Sequence, residues 1–400
     1  MDDRTNLGAR IRQLRGKLMT QQQLADAAQV DVSLIRKLEQ GLRHTASIGS
    51  LQRIARALDV TVADLLGKPA ALPTARSDAG VVAVRRALTP VDDLVDLPVD
   101  DEPLTLDEAE RSVGYLWGAY WAGRYELLSE LLPTALPRLR ATYREAPAER
   151  RSQAAYALAR GYQAAGDTLV HLGHLDAAWL ALREALRMAR SGDDPLLYAA
   201  LRVSVAWQLL VQGRYAESER VCTVAAGEVE PHGAADDSRL AVYGLLAITG
   251  ATAAARARKG AAAADLLDVA GETADRLGYE RSDHQSTFGP AKVAMLAVDV
   301  HVVQDNFPDA LSAAERLPRD AALPVATRAR HLADLALAHL RLGQHDKALN
   351  TVLTAEQLAP DWIKYQSLPR QIVAELVETE RRVSTPLRDL ALRLGVTASA

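Results

Sequence analysis

From residue 104 onward the sequence repeats one local event: a helical segment ends in a short turn led by glycine or Asp-Asn, and a segment rich in alanine and leucine follows. The turns are GRYELL (123–128), GHLDAA (173–178), GRYAES (213–218), GAAAAD (260–265), DNFPDA (305–310) and GQHDKA (343–348), their first residues 38 to 50 positions apart. That spacing fits a helical hairpin. A single hairpin cannot bury its apolar face, so hairpins at this period stack into a solenoid, each covering its neighbour. The last stretch, SLPRQIVAELVETERRVSTPLRDLALRLG, reads as one long helix and a short one that cap the open end.

Composition agrees with an all-α chain. Four hundred residues imply two or three domains, and the aromatic share of 4% with abundant alanine favours closely packed helices over a β-sandwich. The single cysteine, Cys222, can make neither an internal disulfide nor a cysteine zinc site; it reads as a small apolar filler in a reducing compartment. The N-terminal MDDRTNLGAR carries no basic-then-apolar signal pattern. No run approaches the roughly 18 apolar residues of a membrane span, so a cytoplasmic location without a membrane partner is expected. The net charge of −4 hides an asymmetry: residues 1–66 carry ten Lys/Arg against seven Asp/Glu, the remainder 37 against 44. A mildly basic head on an acidic body suits a small anionic contact made by the head.

Three regions follow: a head over 1–67, a proline-rich acidic linker over 68–103 with a short isolated helix at 77–88, and the solenoid over 104–400. The linker has five prolines, and its second half carries Asp92, Asp93, Asp96, Asp100, Asp101 and Glu102. Such a run is a solvated spacer, or a competitor with nucleic acid for the basic head. The head reads as five short helices, with Gly16, Gly41 and Gly67 at exits and Thr20, Asp31, Ser47 and Thr61 as N-caps.

Within it, QQQLADAAQVDVSLIRKLEQ (21–40) fits a helix-turn-helix. Leu24, Ala28, Val30, Ile35 and Leu38 supply the apolar crossing and Ala25 the small residue at the point of contact. At about 100° per residue, Ser33, Arg36, Lys37 and Gln40 form a polar stripe opposite Ile35 and Leu38. Alone, such a stripe is a solvated helix face. The segments TQQQLA, VSLIRKLEQG and LQRIARALDVTVADLL together make residues 7–66 resemble the XRE family, the five-helix lambda-repressor-like helix-turn-helix. Gln29 departs from the family's usual turn glycine, at a cost of about 1 kcal/mol for a left-handed residue.

The resemblance implies that the second helix enters the major groove by its N-terminal end. Val32, Ser33 and Lys37 would then meet base edges, with Arg36 at the rim and Gln40 on the same stripe. Val32 offers an apolar contact, Ser33 a permissive hydrogen bond, and Lys37 is the guanine reader. Gln21 and Gln22 open the preceding helix, where Gln21 presents its backbone amide and side chain to a phosphate, and Arg43 grips the backbone beyond the recognition helix. An Arg15–Glu39 pair braces the head. A head of net charge +3 binds weakly as a single copy, so a homodimer on an inverted-repeat operator in double-stranded DNA is expected.

In the solenoid, Gly173 and Ala178, with Gly166 seven residues earlier, resemble the turn glycine and small residues of a tetratricopeptide repeat. The other copies are longer and degenerate. That family's concave face is lined by the first helix of each hairpin. Aligning on the turns places Trp117, Tyr120, Arg160, Gln163, Asp167, Trp207, Lys292, Asp299 and Arg330 there as effector-binding residues. The alternatives are that the tryptophans pack between hairpins and that Arg160 and Asp167 pair along their helix. Head plus solenoid is similar to the peptide-responsive regulators of Gram-positive bacteria, and the alanine- and arginine-rich composition leans toward a high-GC actinobacterial source. The effector would be a signalling peptide or a small molecule; an interaction scaffold whose head binds protein is the competing reading. No P-loop, GxGxxG or HExxH motif occurs. His171 and His174 straddle a turn without evident carboxylate partners, so neither enzyme, metal site nor cofactor is expected.

Overall fold

The computed structural model describes residues 7–16, 19–43, 46–58, 60, 65, 75–91, 101–284, 286–318, 321–380 and 383–396. The chain divides between Asp78 and Ala79 into two units. In the first, helices α1 (Leu7–Arg15), α2 (Gln21–Ala28), α3 (Val32–Glu39) and α4 (Ile48–Ala57) surround one core. Leu7, Ile11, Leu24, Ala25, Ala28, Ile35, Leu38, Leu51, Ile54 and Leu65 are buried in it.

Caps set the boundaries of these helices. Thr20 closes a capping box with Gln23 at the start of α2, Asp31 Oδ1 accepts from Ser33 N at 2.7 Å, and Ser47 Oγ accepts from Ser50 N at 3.2 Å. Gly16 and Gly41 leave their helices with positive φ, as does Gln29 at φ 51°. Gln29 N–H donates back to Ala25 O and Asp26 O, which compensates for a left-handed residue that is not glycine. Thr61, Gly67 and the acidic residues 92–100 lie outside the described residues.

The second unit begins inside the segment read as linker. Helix α5 (Ala75–Leu88) is not isolated: Val81 and Val84 are buried, and the Arg140 guanidinium donates to Ala87 O. Gly80 lies so close to Ser129 that an added Cβ would sit 2.4 Å from its Oγ. The weak period of Val82, Arg85 and Arg86 misled here, because Val82 is exposed while Val81 and Val84 are the buried positions.

Six hairpins follow: α6/α7 (Leu106–Trp121, Tyr125–Glu145), α8/α9 (Arg151–His171, Leu175–Arg190), α10/α11 (Pro195–Val211, Tyr215–Glu228), α12/α13 (Asp237–Arg256, Gly260–Leu277), α14/α15 (Pro290–Val303, Phe307–Ala314) and α16/α17 (Val325–Arg341, His345–Leu358). Each turn has one left-handed residue two positions before its second helix: Gly123, Gly173, Gly213, Arg258, Asp305 and Gly343. The fourth turn is therefore registered on Arg258, and Gly260 is already the first residue of α13. Gly166 does what its small size requires, since a Cβ there would lie 2.8 Å from Leu182 Cγ and 3.3 Å from Ala178 O.

First helices of successive hairpins lie side by side from α6 to α16, which makes them the inner wall. Helix α12 is long and apolar enough to resemble a membrane span, yet 83% of that window is buried among its neighbours; it is a core helix of the stack. Cys222 is buried, and burial pushes its thiol up to about 12, as befits a filler.

Two features have no counterpart in the expected hairpins. Between α13 and α14 a small antiparallel hairpin, β1 (Arg281–Asp283) with β2 (Ser286–Phe288), pairs Ser282 with Thr287. Its Phe288 ring presses on Gly244, where a Cβ would lie 2.0 Å from the ring. At its tip His284, φ 48°, hydrogen-bonds Tyr156 of α8 at 3.3 Å. The second feature is at the end of the stack, where α18 (Pro360–Ile363), α19 (Ser367–Thr379) and α20 (Thr385–Arg393) cap it as expected. They also return to its start: Tyr365 Oη donates to Glu126 at 2.8 Å, Gln366 meets His171 at 3.3 Å, and Trp362 covers Gly123.

Candidate functional site

The recognition helix α3 is clamped by Ile35 and Leu38, both 0% exposed, while Ser33, Arg36, Lys37 and Gln40 lie exposed on its other face. Neither Arg36 nor Lys37 forms an ion pair among the described residues. Hydrogen bonds from the Ser33 side chain and amide pull the Asp31 carboxyl below its ordinary value, so this serine cooperates in the cap. Val32 is half-buried against the head core and offers only part of its surface to a base. Arg43 is exposed.

The position of α3 depends on Glu39. Its carboxylate accepts from Arg15 Nε at 2.8 Å, Arg15 Nη2 at 3.0 Å and Gln21 Nε2 at 2.7 Å. Burial pushes Glu39 up, but these bonds outweigh it and hold the carboxyl below the usual range. The brace expected between Arg15 and Glu39 is present, and it recruits Gln21. The Gln21 side chain is thus occupied inside the head, and only its backbone amide, at the first position of α2, remains for a phosphate. Gln22 is exposed and donates to Asp26 at 2.9 Å.

The expected effector residues separate into two groups. Tyr156, Arg160, Gln163, Asp167 and His171 form a stripe along α8, but Arg160, Gln163 and Asp167 are 0, 2 and 5% exposed. They are not an open surface, because α8 packs against α6, α7, α9 and α10 and its alanines and glycines draw those helices close. Arg160 and Asp167 do not pair directly. Arg160 donates to Gln163, Gln163 to Ser204 Oγ at 2.8 Å, and Ser204 to Asp167 Oδ2 at 3.0 Å. Desolvation lowers Arg160 to about 10 and lifts Asp167 to about 7, against the Ser204 hydrogen bond and the Arg160 charge.

Trp117 is buried too: its Nε1 donates to Arg160 O at 3.3 Å, and the Arg160 guanidinium stacks 4.6 Å from its ring centroid. Tyr120, Tyr125 and Trp207 pack around His171, with the Tyr125 ring stacked on it at 4.3 Å. Burial drives His171 down to about 3, helped by the charge of Arg330. For Trp117 the packing alternative is therefore the observed one.

The second group lines α12, α14 and α16. Asp299, 4% exposed, accepts from Arg256 Nη1 and Nη2 at 2.9 Å each and from Arg330 Nη2 at 3.1 Å. Arg330 Nε also reaches Asp334 at 3.1 Å. Burial raises Asp299, but the two guanidiniums overcome it and hold the carboxyl well below the usual range; Asp334, buried and beside Asp299, is raised to about 6. Lys292 is half-buried two turns before Asp299. Arg256 and Asp334 escaped the sequence reading because the alignment took no residue from α12 and only Arg330 from α16; His171 entered it only beside His174, as a metal candidate. The β-hairpin escaped because three-residue strands leave almost no alternation to see. Among the described residues no cluster of three metal-binding side chains occurs.

A helix-turn-helix family model matches residues 11–65, so the first unit is a helix-turn-helix domain, here followed by an α-helical hairpin solenoid. Two solved structures are similar at low level. One is BtubC (BKLC) from P. vanneervenii, 18% identical with a TM-score of 0.36, covering 70% of this chain and 95% of that one. The other is Bacillus thuringiensis PlcR in complex with the peptide PapR7 and DNA, 16% identical with a TM-score of 0.33, covering 68% of this chain and 96% of that one. No curated protein matches the sequence.

Proposed function

We propose that this chain is a sequence-specific DNA-binding transcriptional regulator that acts as a homodimer on an inverted-repeat operator. The observation that carries this reading is the two-faced recognition helix, with Ile35 and Leu38 at 0% exposure and Ser33, Arg36, Lys37 and Gln40 exposed opposite. Lys37 reads guanine, Ser33 and the free part of Val32 add permissive contacts, and Arg36, Gln40, Gln22, Arg43 and the Gln21 amide hold phosphates. A peptide, small molecule or partner protein taken by the inner wall of the solenoid modulates operator binding by favouring one arrangement of the paired heads. Of the expected residues, Arg330, Lys292 and Trp207 keep surface on that wall; Asp299, 4% exposed, anchors Arg330 there, and Arg160, Gln163 and Asp167 support it from behind.

The test is operator selection from the source genome followed by gel shift with S33A/K37A. Loss of a guanine contact is worth about 1–3 kcal/mol, so selective occupancy should fall roughly tenfold to a hundredfold while circular dichroism stays unchanged. Intact selectivity in the double variant would reject the recognition-helix reading and leave a head that contacts protein.

A further inference from the structure

The chain holds seven lysines against forty arginines. One of those lysines, Lys292, lies on the inner wall of the solenoid, where an ion-paired arginine would be the ordinary choice. Its ammonium has no hydrogen-bond or ion-pair partner among the described residues. Nearby carboxylates are otherwise engaged. Asp299, two turns along the same face of α14, is filled by Arg256 and Arg330. Glu280 spends Oε1 on the Ala291 N–H at 2.6 Å, and its Oε2 is buried without a partner. Arg330 of α16, bonded to Asp299, keeps 42% of its side chain exposed, and its Nη1 is unused among the described residues.

We propose that Lys292 is a reactive-amine site for an aldehyde or ketone bearing an acidic group, whose anion the exposed edge of Arg330 holds. This rests on the reading of the solenoid as an effector-binding body and names the class of effector. In the step, the neutral amine adds to the carbonyl carbon: an N–C bond forms, the C=O π pair goes to oxygen, and that oxygen takes a proton. The nitrogen supplies that proton and a second one that leaves with the hydroxyl as water, and its lone pair closes the C=N bond of the imine. No oxidant or reductant is needed, and Glu280, bonded to the Ala291 N–H beside Lys292, has Oε2 without a partner to relay protons. Burial lowers the Lys292 amine to about 8, with the charge of Arg330 acting in the same direction against Glu280 and Asp299. A desolvated lysine beside another cation is a recognised way of freeing an amine for Schiff-base chemistry.

The test uses full-length protein treated with 4-carboxybenzaldehyde and sodium cyanoborohydride, with modified lysines mapped by mass spectrometry. Lys292, a desolvated amine without an ion-pair partner among the described residues, should be labelled about tenfold faster than Lys259, Lys347 or Lys364. Uncharged benzaldehyde should label Lys292 about tenfold more slowly than its carboxylated analogue. K292R should lose the fast label. Even labelling across all lysines, or equal rates with the two aldehydes, would overturn the inference. Failure of the wild-type chain to bind operator DNA would instead reject the regulator reading, without touching the labelling result.

Discussion

Helix α1 crosses α3 at Gly8, and that crossing gives Gly8→Ala a sign that two principles dispute. An added Cβ would lie 1.7 Å from Leu38 O, 2.5 Å from Leu38 C and 3.1 Å from Glu39 Cα. Ordinary contact begins near 3.4 Å, so the two helices must separate by about 1.5 Å. Overpacking of this kind costs about 1–3 kcal/mol. The separation also stretches the Arg15–Glu39 bonds, now 2.8 and 3.0 Å, each worth about 1.5–3 kcal/mol in favourable cases. Helix propensity acts the other way, favouring alanine by about 1 kcal/mol. The expected net loss is about 2–4 kcal/mol in the head, together with weaker operator binding as α3 shifts. All five tryptophans, Trp117, Trp121, Trp179, Trp207 and Trp362, lie in the second unit. In urea, tryptophan fluorescence therefore follows the solenoid alone, while far-ultraviolet circular dichroism follows both units. G8A should bring forward only the transition seen by dichroism. A G8A head more stable than wild type, as for a solvent-facing helical glycine, would refute the packing argument.

Two further substitutions probe the solenoid. Because the folded chain holds Asp167 near pKa 7, above its unfolded value of about 3.9, its contribution is fully present below pH 4 and is lost as pH rises through 7. D167N should resist urea better than wild type at pH 8, by about 1–4 kcal/mol, with the gap narrowing at pH 5 and closed below pH 4; a variant weaker at both pH 8 and pH 5 contradicts the assignment. W362A removes a side chain only 2% exposed and should cost about 3–5 kcal/mol. Hydrogen exchange should then rise around Gly123 and Tyr125 as well as in α18, and exchange confined to α18 would show that the two ends do not brace each other.

The hairpin order was legible because a left-handed turn residue and small residues at helix crossings leave marks in single positions, as Gly173, Gly166 and Ala178 do. The head was legible for the same reason: Thr20, Asp31 and Ser47 are caps whose partners lie within three residues. What could not be read depends on distant pairings. Arg160 and Asp167 carry charge, and nothing in their neighbourhood announces that Ser204, thirty-seven positions beyond Asp167, links them inside the wall. The register at Arg258 was missed because Gly260 looked like the better turn former, although Arg258 is the left-handed residue. The helix over 75–88 belongs to the body through residues some fifty positions away, with Gly80 against Ser129 and Ala87 O accepting from Arg140.

The return of Trp362, Tyr365 and Gln366 to Gly123, Glu126 and His171 changes how this stack responds to force and heat. A linear array can fray from its terminal repeats while the middle survives. Here the first and last hairpins shelter each other, so neither is a free edge from which melting can start. Such a loop of hairpins should unfold as one cooperative event, with any strain introduced at a single repeat shared around the whole circuit.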